Sequence, residues 1–593
     1  MFLTEQSPAL LNVENSVRGF RWHDRNQDPR LAMVISQRLS VPDLIGRLLA
    51  ARGICADNAK EFLDPKLRDF MPDPSQLVDM DQAVTRLVAA IAGGEKIAIF
   101  GDYDVDGATS SALLKNFLSH LGVTPEVYIP DRIREGYGPT VDAFQKLHSN
   151  GAKVVLTVDC GTSAHDALAA ALRMGLDVVV LDHHTVGPDL PGCYALVNPN
   201  RLDDQSKQGA LAAVGVTYLF LVALNRALRK TGYYQDTHEP DLMSSLDLVA
   251  LGTVCDMVPL RDLNRALVHQ GLKVLAKRGN KGLAALADVA AIDEHPNCYH
   301  LGFLLGPRIN AGGRVGASDL GYRLLTENES ECATDIAARL NVLNLERRTI
   351  ESLNVDQAFK QLEEHGRPNS AIVVDSPAWH AGVIGLVASR LTERFKRPSF
   401  VIAFDGDVGK GSARSVPDVD VGAIITAACQ NKMLLGGGGH PMAAGFTIDR
   451  LQLDVFREFV EKRVSKGRKL EGPPSLSMDG VLTLSAVGTE LMDTFEQVGP
   501  YGPGNPSPRF AFANVRVVRA DTVGDGEHVR CIFAGDEGSR LKGVAFRAGD
   551  APLGHAVLSA RRLHVAGSLH TNHWRGRHEV ELFIEDVAYP EGG

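Results

Sequence analysis

Three aspartates stand at alternate positions between two glycines, in Gly101-Asp102-Tyr103-Asp104-Val105-Asp106-Gly107. The preceding Ile97-Ala98-Ile99-Phe100 has strand composition, so the aspartates fall just past a strand end. In extended chain alternate side chains share a face, which points Asp102, Asp104 and Asp106 roughly the same way. Crowded carboxylates repel one another. A hard divalent cation such as Mg²⁺ or Mn²⁺ removes the conflict. One such aspartate alone would be a helix cap; three in alternation read as metal ligands. Asp159 and His183 follow two further apolar runs, Lys153 to Val158 and Asp177 to Leu181, and Asp256 closes a third apolar stretch from Leu248. The candidate metal set is therefore Asp104, Asp106, Asp159, His183 and Asp256. Two ions a few Å apart in such a set can clamp an in-line phosphoryl displacement, one activating water and the other stabilising the leaving oxygen. Asp106 and Asp159 thereby join the catalytic group. His184 would steady the non-bridging phosphate oxygens or donate a proton. Adjacent histidines are ordinarily a structural or surface pair. Their place at a strand end, directly after Asp182, favours chemistry. Asp256 taken alone reads as a cap or turn residue.

Two other groups of residues suit an anionic substrate. Gly436 to Gly439 precede His440, and four glycines let backbone N–H groups approach an anion as a nest; a flexible turn explains them equally well. Ser412 and Arg414 lie in the glycine-bracketed loop Gly409 to Ser415, and Arg308 and Arg314 in the glycine-rich loop Leu304 to Arg314. Arginine forks hold phosphate well. The substrate-binding candidates are thus Arg308, Arg314, Ser412, Arg414, Gly437, Gly438 and His440. Towards the C-terminus, Arg509, Phe510, Phe512, Arg516, Arg519, Trp574, Arg575 and Arg577 interleave aromatic and basic residues, a pattern that stacks bases and tracks a nucleic-acid backbone. The alternative is that Phe510 and Phe512 are core and the arginines a solvated face.

The elements that must carry these residues follow from periodicity. From Asp81 to Leu181 strand runs alternate with helical runs, which predicts a parallel, doubly wound sheet. Working residues of such sheets lie beyond the carboxyl ends of the strands, and three strands here end in Asp or His clusters. Residues 211–280 read as mainly helical. Residues 330–364 read as one long connecting helix. A second α/β unit follows, and Pro473 and Pro474 mark a linker. Five short strands from Ala513 to Ile584 fit a closed barrel of the OB type. Met1 to Arg30 show no periodicity and read as a loose arm.

Bulk properties set the frame. A chain of 593 residues exceeds one core. Hydrophobic content of 44% and charged content of 23% are ordinary for globular protein. The net charge of −10 requires any nucleic-acid groove to be local. No apolar run is long enough to span a bilayer and no basic-then-apolar leader opens the chain, so no membrane role is expected. The eight cysteines are scattered without CxxC or zinc-ligand spacing, which fits a reducing cytoplasm.

The same motifs carry a resemblance. Gly101 to Gly107, Asp159-Cys160-Gly161, Asp182-His183-His184 and the Asp256 stretch resemble the DHH phosphoesterase superfamily. Gly436 to His440 and Ser412-Ala413-Arg414-Ser415 resemble its DHHA1 domain. Leu304 to Arg314, Trp379 to Gly385 and Gly499 to Pro506 are similar to segments of the RecJ family within it. The resemblance covers nearly the whole chain beyond the N-terminal arm. It implies a single-stranded-DNA exonuclease that works from a 5′ end to mononucleotides with two Mg²⁺ or Mn²⁺ ions. Matched motif by motif, Asp104, Asp106, Asp159, His183 and Asp256 are its metal ligands and His184 its phosphate-holding histidine. Ser412 and Arg414 lie in its 5′-end loop, and Arg132 is a further candidate there. The implied partners are a single-stranded-DNA-binding protein and a RecQ-type helicase. The implied setting is recombinational and mismatch repair at the bacterial nucleoid. The implied layout is an N-terminal arm and helices (1–75), a DHH domain (76–325), a connecting helix (326–366), a DHHA1 domain (367–470) and an OB barrel (471–593). Two α/β units facing across the helix would form a cleft too narrow for duplex. The rivals are a small-molecule or short-oligonucleotide DHH phosphodiesterase, which needs no barrel, and a non-enzymatic scaffold, which would have lost metal ligands.

Overall fold

The computed structural model describes residues 8–25, 28–364, 370–467, 474–574 and 577–590. Contacts divide the chain into two units. The first comprises Pro72–Asp256 and Gly271–Leu470; the second comprises Met1–Met71, Met257–Gln270 and Glu471–Gly593. Among the described residues no helix is long and apolar enough to cross a membrane.

The first unit opens with a five-stranded sheet of β1 (Ile97–Gly101), β2 (Glu126–Tyr128), β3 (Val154–Val158), β4 (Asp177–Leu181) and β5 (Ala195–Val197). Every pairing is parallel and the order is β2-β1-β3-β4-β5. All five residues of β1 and of β3 are buried, as strands covered by helices on both faces require. The helices include α1 (Val105–His120), α2 (Val141–Ser149), α3 (His165–Arg173), α4 (Ala213–Lys230) and α5 (Leu246–Cys255). Strand order reverses between β1 and β3, and a crevice opens at their carboxyl ends at such a point. Residues 102–106 and Asp159 follow those two strands.

The helix α6 (Gly306–Val315) and the 35-residue α7 (Ser330–Glu364) lead to a mixed sheet. Its strands are β6 (Ile372–Ser376), β7 (Ser399–Asp405), β8 (Val408–Arg414), β9 (Gly436–His440) and β10 (Ala443–Asp449), in the order β9-β10-β8-β7-β6. α8 (Ile384–Phe395) packs on it beside α7, and α9 (Val421–Gln430) lies against β9.

Three expectations fail here for physical reasons. Leu304 to Arg314 is helix, not a glycine-rich loop. Its glycines serve close packing: a Cβ on Gly306 would lie 2.5 Å from the Cys255 sulfur. Gly409 to Arg414 and Gly436 to His440 are strands, not loops. A Cβ on Gly411 would sit 2.2 Å from the Phe446 ring, so the glycine lets that ring lie flat on β8. The nest fails with the loop, because Gly437 and Gly438 pair in extended register with Phe446 and Gly445. Both are exposed, on an edge strand.

In the second unit, β11 (Arg509–Val523), β12 (His528–Ala534), β13 (Arg540–Ala545), β14 (Arg562–Trp574) and β15 (Arg577–Ala588) close into a five-stranded barrel through the β11–β14 pairing. Phe510 and Phe512 are core at 1% and 0% exposure, so they are not a stacking surface. Arg509 pairs with Glu585 and Arg519 with Asp521. Arg575, and the side chains of Trp574 and Arg577, lie outside the described residues. The expected loose arm is in part a strand: Arg21–Asp24 runs parallel to Ser475–Met478. Trp22 explains it, since it is fully buried and its indole donates to Asp586 Oδ2 at 2.8 Å. The Gly499 to Pro506 motif is anchored by buried Arg265, which donates to the carbonyl oxygens of Val498, Gly499 and Pro500.

Candidate active site

Asp104 caps α1: its Oδ1 accepts from the backbone N–H groups of Asp106 (2.9 Å) and Gly107 (3.1 Å). Asp106 is buried inside the first turn, and its two oxygens accept from Ala213 (2.6 Å) and Val214 (2.9 Å), the first residues of α4. The positive end of α4 thus fixes this carboxylate in orientation. Asp159 follows β3 in the left-handed region at φ 60°, and its carbonyl oxygen accepts from the Tyr137 hydroxyl at 3.0 Å. Asp256 closes α5. Asp182 organises the turn after β4. Its Oδ1 accepts from the backbone N–H groups of His183 (2.8 Å) and His184 (3.2 Å) and lies 2.7 Å from His184 Nδ1.

His183 Nε2 is the centre of the cluster. It lies 3.4 Å from Asp159 Oδ1, 3.6 Å from Asp256 Oδ2 and 3.9 Å from Asp106 Oδ2. His183 Nε2 and Asp256 Oδ2 are buried without a hydrogen-bond partner. Buried polar atoms are normally satisfied, so orphaned ones facing each other need an account. The donor atoms of Asp106, His183 and Asp256 lie within 4.8 Å of one another, as do those of Asp102, Asp104 and Asp159. Oxygen donors with one imidazole around orphaned atoms fit a hard divalent cation.

The electrostatics agree. Burial and the Asp104 charge raise Asp102 and Asp159 far above the usual carboxylate range. Burial and neighbouring carboxylates push Asp106 up to about 7 and Asp256 to about 9. Burial, with the His184 charge, lowers His183 to about 4, which leaves a neutral imidazole able to ligate. Burial opposes charge on His184, yet the bond to Asp182 raises it to about 9. For Asp182 burial acts upward, but the bonds from His184 and Thr162 hold it well below the usual range.

A second cluster has the opposite sign. Arg314 is half-buried, and desolvation together with Arg132, Arg347 and Arg414 lowers it to about 9, while Arg347 itself pairs with Glu351 at 2.7 Å. Arg314 Nη1 donates to the Gly382 carbonyl at 3.1 Å. Burial and Arg132 also lower Arg414, whose Nη1 reaches Ser412 Oγ at 3.1 Å. The Arg132 guanidinium lies over the Tyr103 ring, 4.8 Å from its centre. His440, on β9, stacks on His184 with ring centres 6.1 Å apart. Arg308 instead donates to Asn341 Oδ1 (3.0 Å) and the Leu304 carbonyl (2.7 Å). Tyr137 and Arg347 lie beside the expected site residues and were not among them. A tyrosine between two glycines was a visible signal for the first; Arg347 is indistinguishable from other charges on its helix.

Fold and site together define a phosphoesterase of the DHH class. The model of the DHH family N-terminal domain matches residues 96–253, that of the DHHA1 domain residues 369–466, and that of the RecJ OB domain residues 478–586. The chain is 34% identical to single-stranded-DNA-specific exonuclease RecJ of Bacillus subtilis over 96% of its own length and 71% of that protein. It is 35% identical to the protein of the same name from Dickeya dadantii over 92% of its length and 96% of that protein. The crystal structure of RecJ in complex with Mn²⁺ from Thermus thermophilus superposes with TM-score 0.81 at 30% identity, covering 97% of this chain and 80% of that one. The chain belongs to the RecJ family.

Proposed function

We propose that this chain is a 5′-to-3′ exonuclease of single-stranded DNA that releases 5′-mononucleotides. One observation carries the reading: an acidic cluster with orphaned buried ligand atoms lies beside the guanidinium groups of Arg132, Arg314 and Arg414. The two are close enough that Asp104 acts on Arg314, and Arg132 on Asp102. A strand end offers the complement of both, a scissile phosphate that brings cations and a terminal phosphate that suits arginine.

Asp104, Asp106, Asp159, His183 and Asp256 would hold two Mn²⁺ or Mg²⁺ ions, with Asp102 at their edge. Bound there, the ions supply a nucleophile from water at neutral pH and stabilise the leaving oxygen. The remaining work falls to the chain. Asp182 keeps the His184 imidazolium in place, so that its free N–H can donate to a non-bridging oxygen. Ser412, Arg414, Arg314 and Arg132 bind the 5′ end, which sets direction. His440 and the open edge of β9 at Gly437 and Gly438 contact the DNA backbone, and Arg308 contacts it further on. The barrel supports the exonuclease over a small-molecule esterase, because a mononucleotide site needs no such domain. Family membership supports a role in recombinational and mismatch repair, with a single-stranded-DNA-binding protein and a RecQ-type helicase as partners.

The test is a single-stranded oligonucleotide with Mn²⁺, labelled at the 5′ end in one sample and the 3′ end in another. Immediate release of labelled mononucleotide from the first and a shortening ladder from the second is expected, with nothing from Asp159→Ala. Survival of the oligonucleotide while dinucleotides are cut would replace this reading with the small-molecule one.

A further inference from the structure

We infer that Tyr137 is a positioning residue of the metal site, acting through Asp159 and His184. This rests on the proposed phosphoesterase reading of that site.

Asp159 is held at φ 60°, a conformation uncommon outside glycine, though Asp and Asn tolerate it better than most. A bond to its carbonyl restrains the backbone that carries the carboxylate. The Tyr137 hydroxyl donates to that carbonyl at 3.0 Å. The same oxygen lies 3.2 Å from His184 Nδ1, whose own bond runs to Asp182 at 2.7 Å. The two rings meet edge to face, 5.6 Å between centres. One hydroxyl thus touches the backbone of a proposed ligand and the ring of the proposed phosphate donor. The Tyr137 side is 48% exposed, so burial of the ring does not explain the placement.

The loop around Tyr137 is built to hold it. Asp131 Oδ1 accepts from the N–H groups of Ile133 (2.9 Å) and Arg134 (3.0 Å). Glu135 accepts from Asp131 N at 2.7 Å and from the Tyr128 hydroxyl at 2.6 Å. Gly136 (φ 84°) and Gly138 (φ 81°) then turn the chain on either side of the tyrosine. Arg132, proposed above for the 5′ end, lies on this loop. The loop therefore joins the residue that meets the strand terminus to the residue that aligns the cleavage site.

Tyr137→Phe keeps the ring and removes only the hydroxyl. Titration of the full chain with Mn²⁺ alone, read by electron paramagnetic resonance, should show affinity lowered ~10-fold, in the range typical of groups that orient metal ligands. The kcat on single-stranded DNA should fall by a similar factor, with KM nearly unchanged. Tyr128→Phe is the control, since it loosens the loop without touching the site; it should bind Mn²⁺ as the unaltered chain does. Unchanged Mn²⁺ affinity and kcat in Tyr137→Phe would overturn the inference. Equal losses in both variants would also overturn it, since loop order rather than this hydroxyl would then be at work. If the unaltered chain binds Mn²⁺ but cuts no single-stranded DNA, the substrate reading fails while the Mn²⁺ comparison still decides the role of Tyr137.

Discussion

The acidic cluster and the arginine cluster are built by opposite logics. Asp102, Asp104, Asp106 and Asp159 come from two neighbouring strand ends, where the order of a parallel sheet brings them together. Arg132, Arg314, Arg347 and Arg414 come from a loop, two helices and a strand of a different sheet. Yet both gather like charges in a partly desolvated place, a state that costs free energy in the free protein, and of the four arginines Arg347 is offset by an ion pair with Glu351 at 2.7 Å. The difference shows how such a state is maintained. The Asp104 and Asp106 carboxylates are held by backbone N–H groups at the starts of α1 and α4. Arg314 and Arg414 are held by carbonyl and hydroxyl oxygens of Gly382, Ala413 and Ser412, Arg347 by Glu351 and Asn344, and Arg132 lies over the Tyr103 ring. The scaffold itself thus orients Asp104, Asp106, Arg314 and Arg414 through neutral groups rather than through opposite charges.

Removing one member of the acidic cluster should give the largest effect, and in two directions. Asp159→Asn keeps a side chain that tolerates φ 60° but removes one repelling charge. Activity should fall on the order of 10³-fold, as for loss of a group that acts in the transition state. The metal-free chain should meanwhile melt higher, by about 2 °C or more. A variant that is both inactive and less stable would show that the cluster is structurally required rather than strained. Adding Mn²⁺ to the unaltered chain relieves the same repulsion. At a hundred times its dissociation constant the ion should stabilise by about 2.7 kcal/mol, seen as a rise in melting temperature that EDTA reverses. Asp159→Asn should show most of that rise missing.

The two clusters also differ in how far the sequence reveals them. The aspartates were legible because strand-end position is a local property: alternation after Ile97–Phe100 places three of them at once. The wound sheet, the long helix and the barrel strands were legible for the same reason, through periodicity. Arg347 was not, because nothing in a charged helix marks which arginine faces inward. Glycine misled most. Gly306 and Gly411 look like loop residues, but each is a contact point, against Cys255 and Phe446. A missing side chain signals a turn or a close approach equally, and only tertiary packing tells them apart.

Breaking the arginine side should give an intermediate effect that depends on the substrate. Arg414→Lys keeps the charge and loses the fork. KM for a 5′-phosphorylated oligonucleotide should rise ~10-fold, while a 5′-hydroxyl oligonucleotide changes by less than ~2-fold. Equal losses on both would assign Arg414 to the strand at large and not to its terminus.

The smallest effect should come from an arginine whose charge is already answered. Arg519 on the barrel is exposed and pairs with Asp521. Exposed pairs contribute about 0–1 kcal/mol, so Arg519→Ala should leave the melting temperature in place. Binding of single-stranded DNA to the catalytically dead Asp159→Asn chain should change by less than ~2-fold, and the slope of log affinity against log salt should stay the same. Arg414→Met in the same background should lower that slope by about one phosphate contact. If Arg519→Ala lowers it equally, local pairing does not separate working cations from idle ones. The contrast between satisfied and unsatisfied charge would then lose its predictive value beyond the crevice.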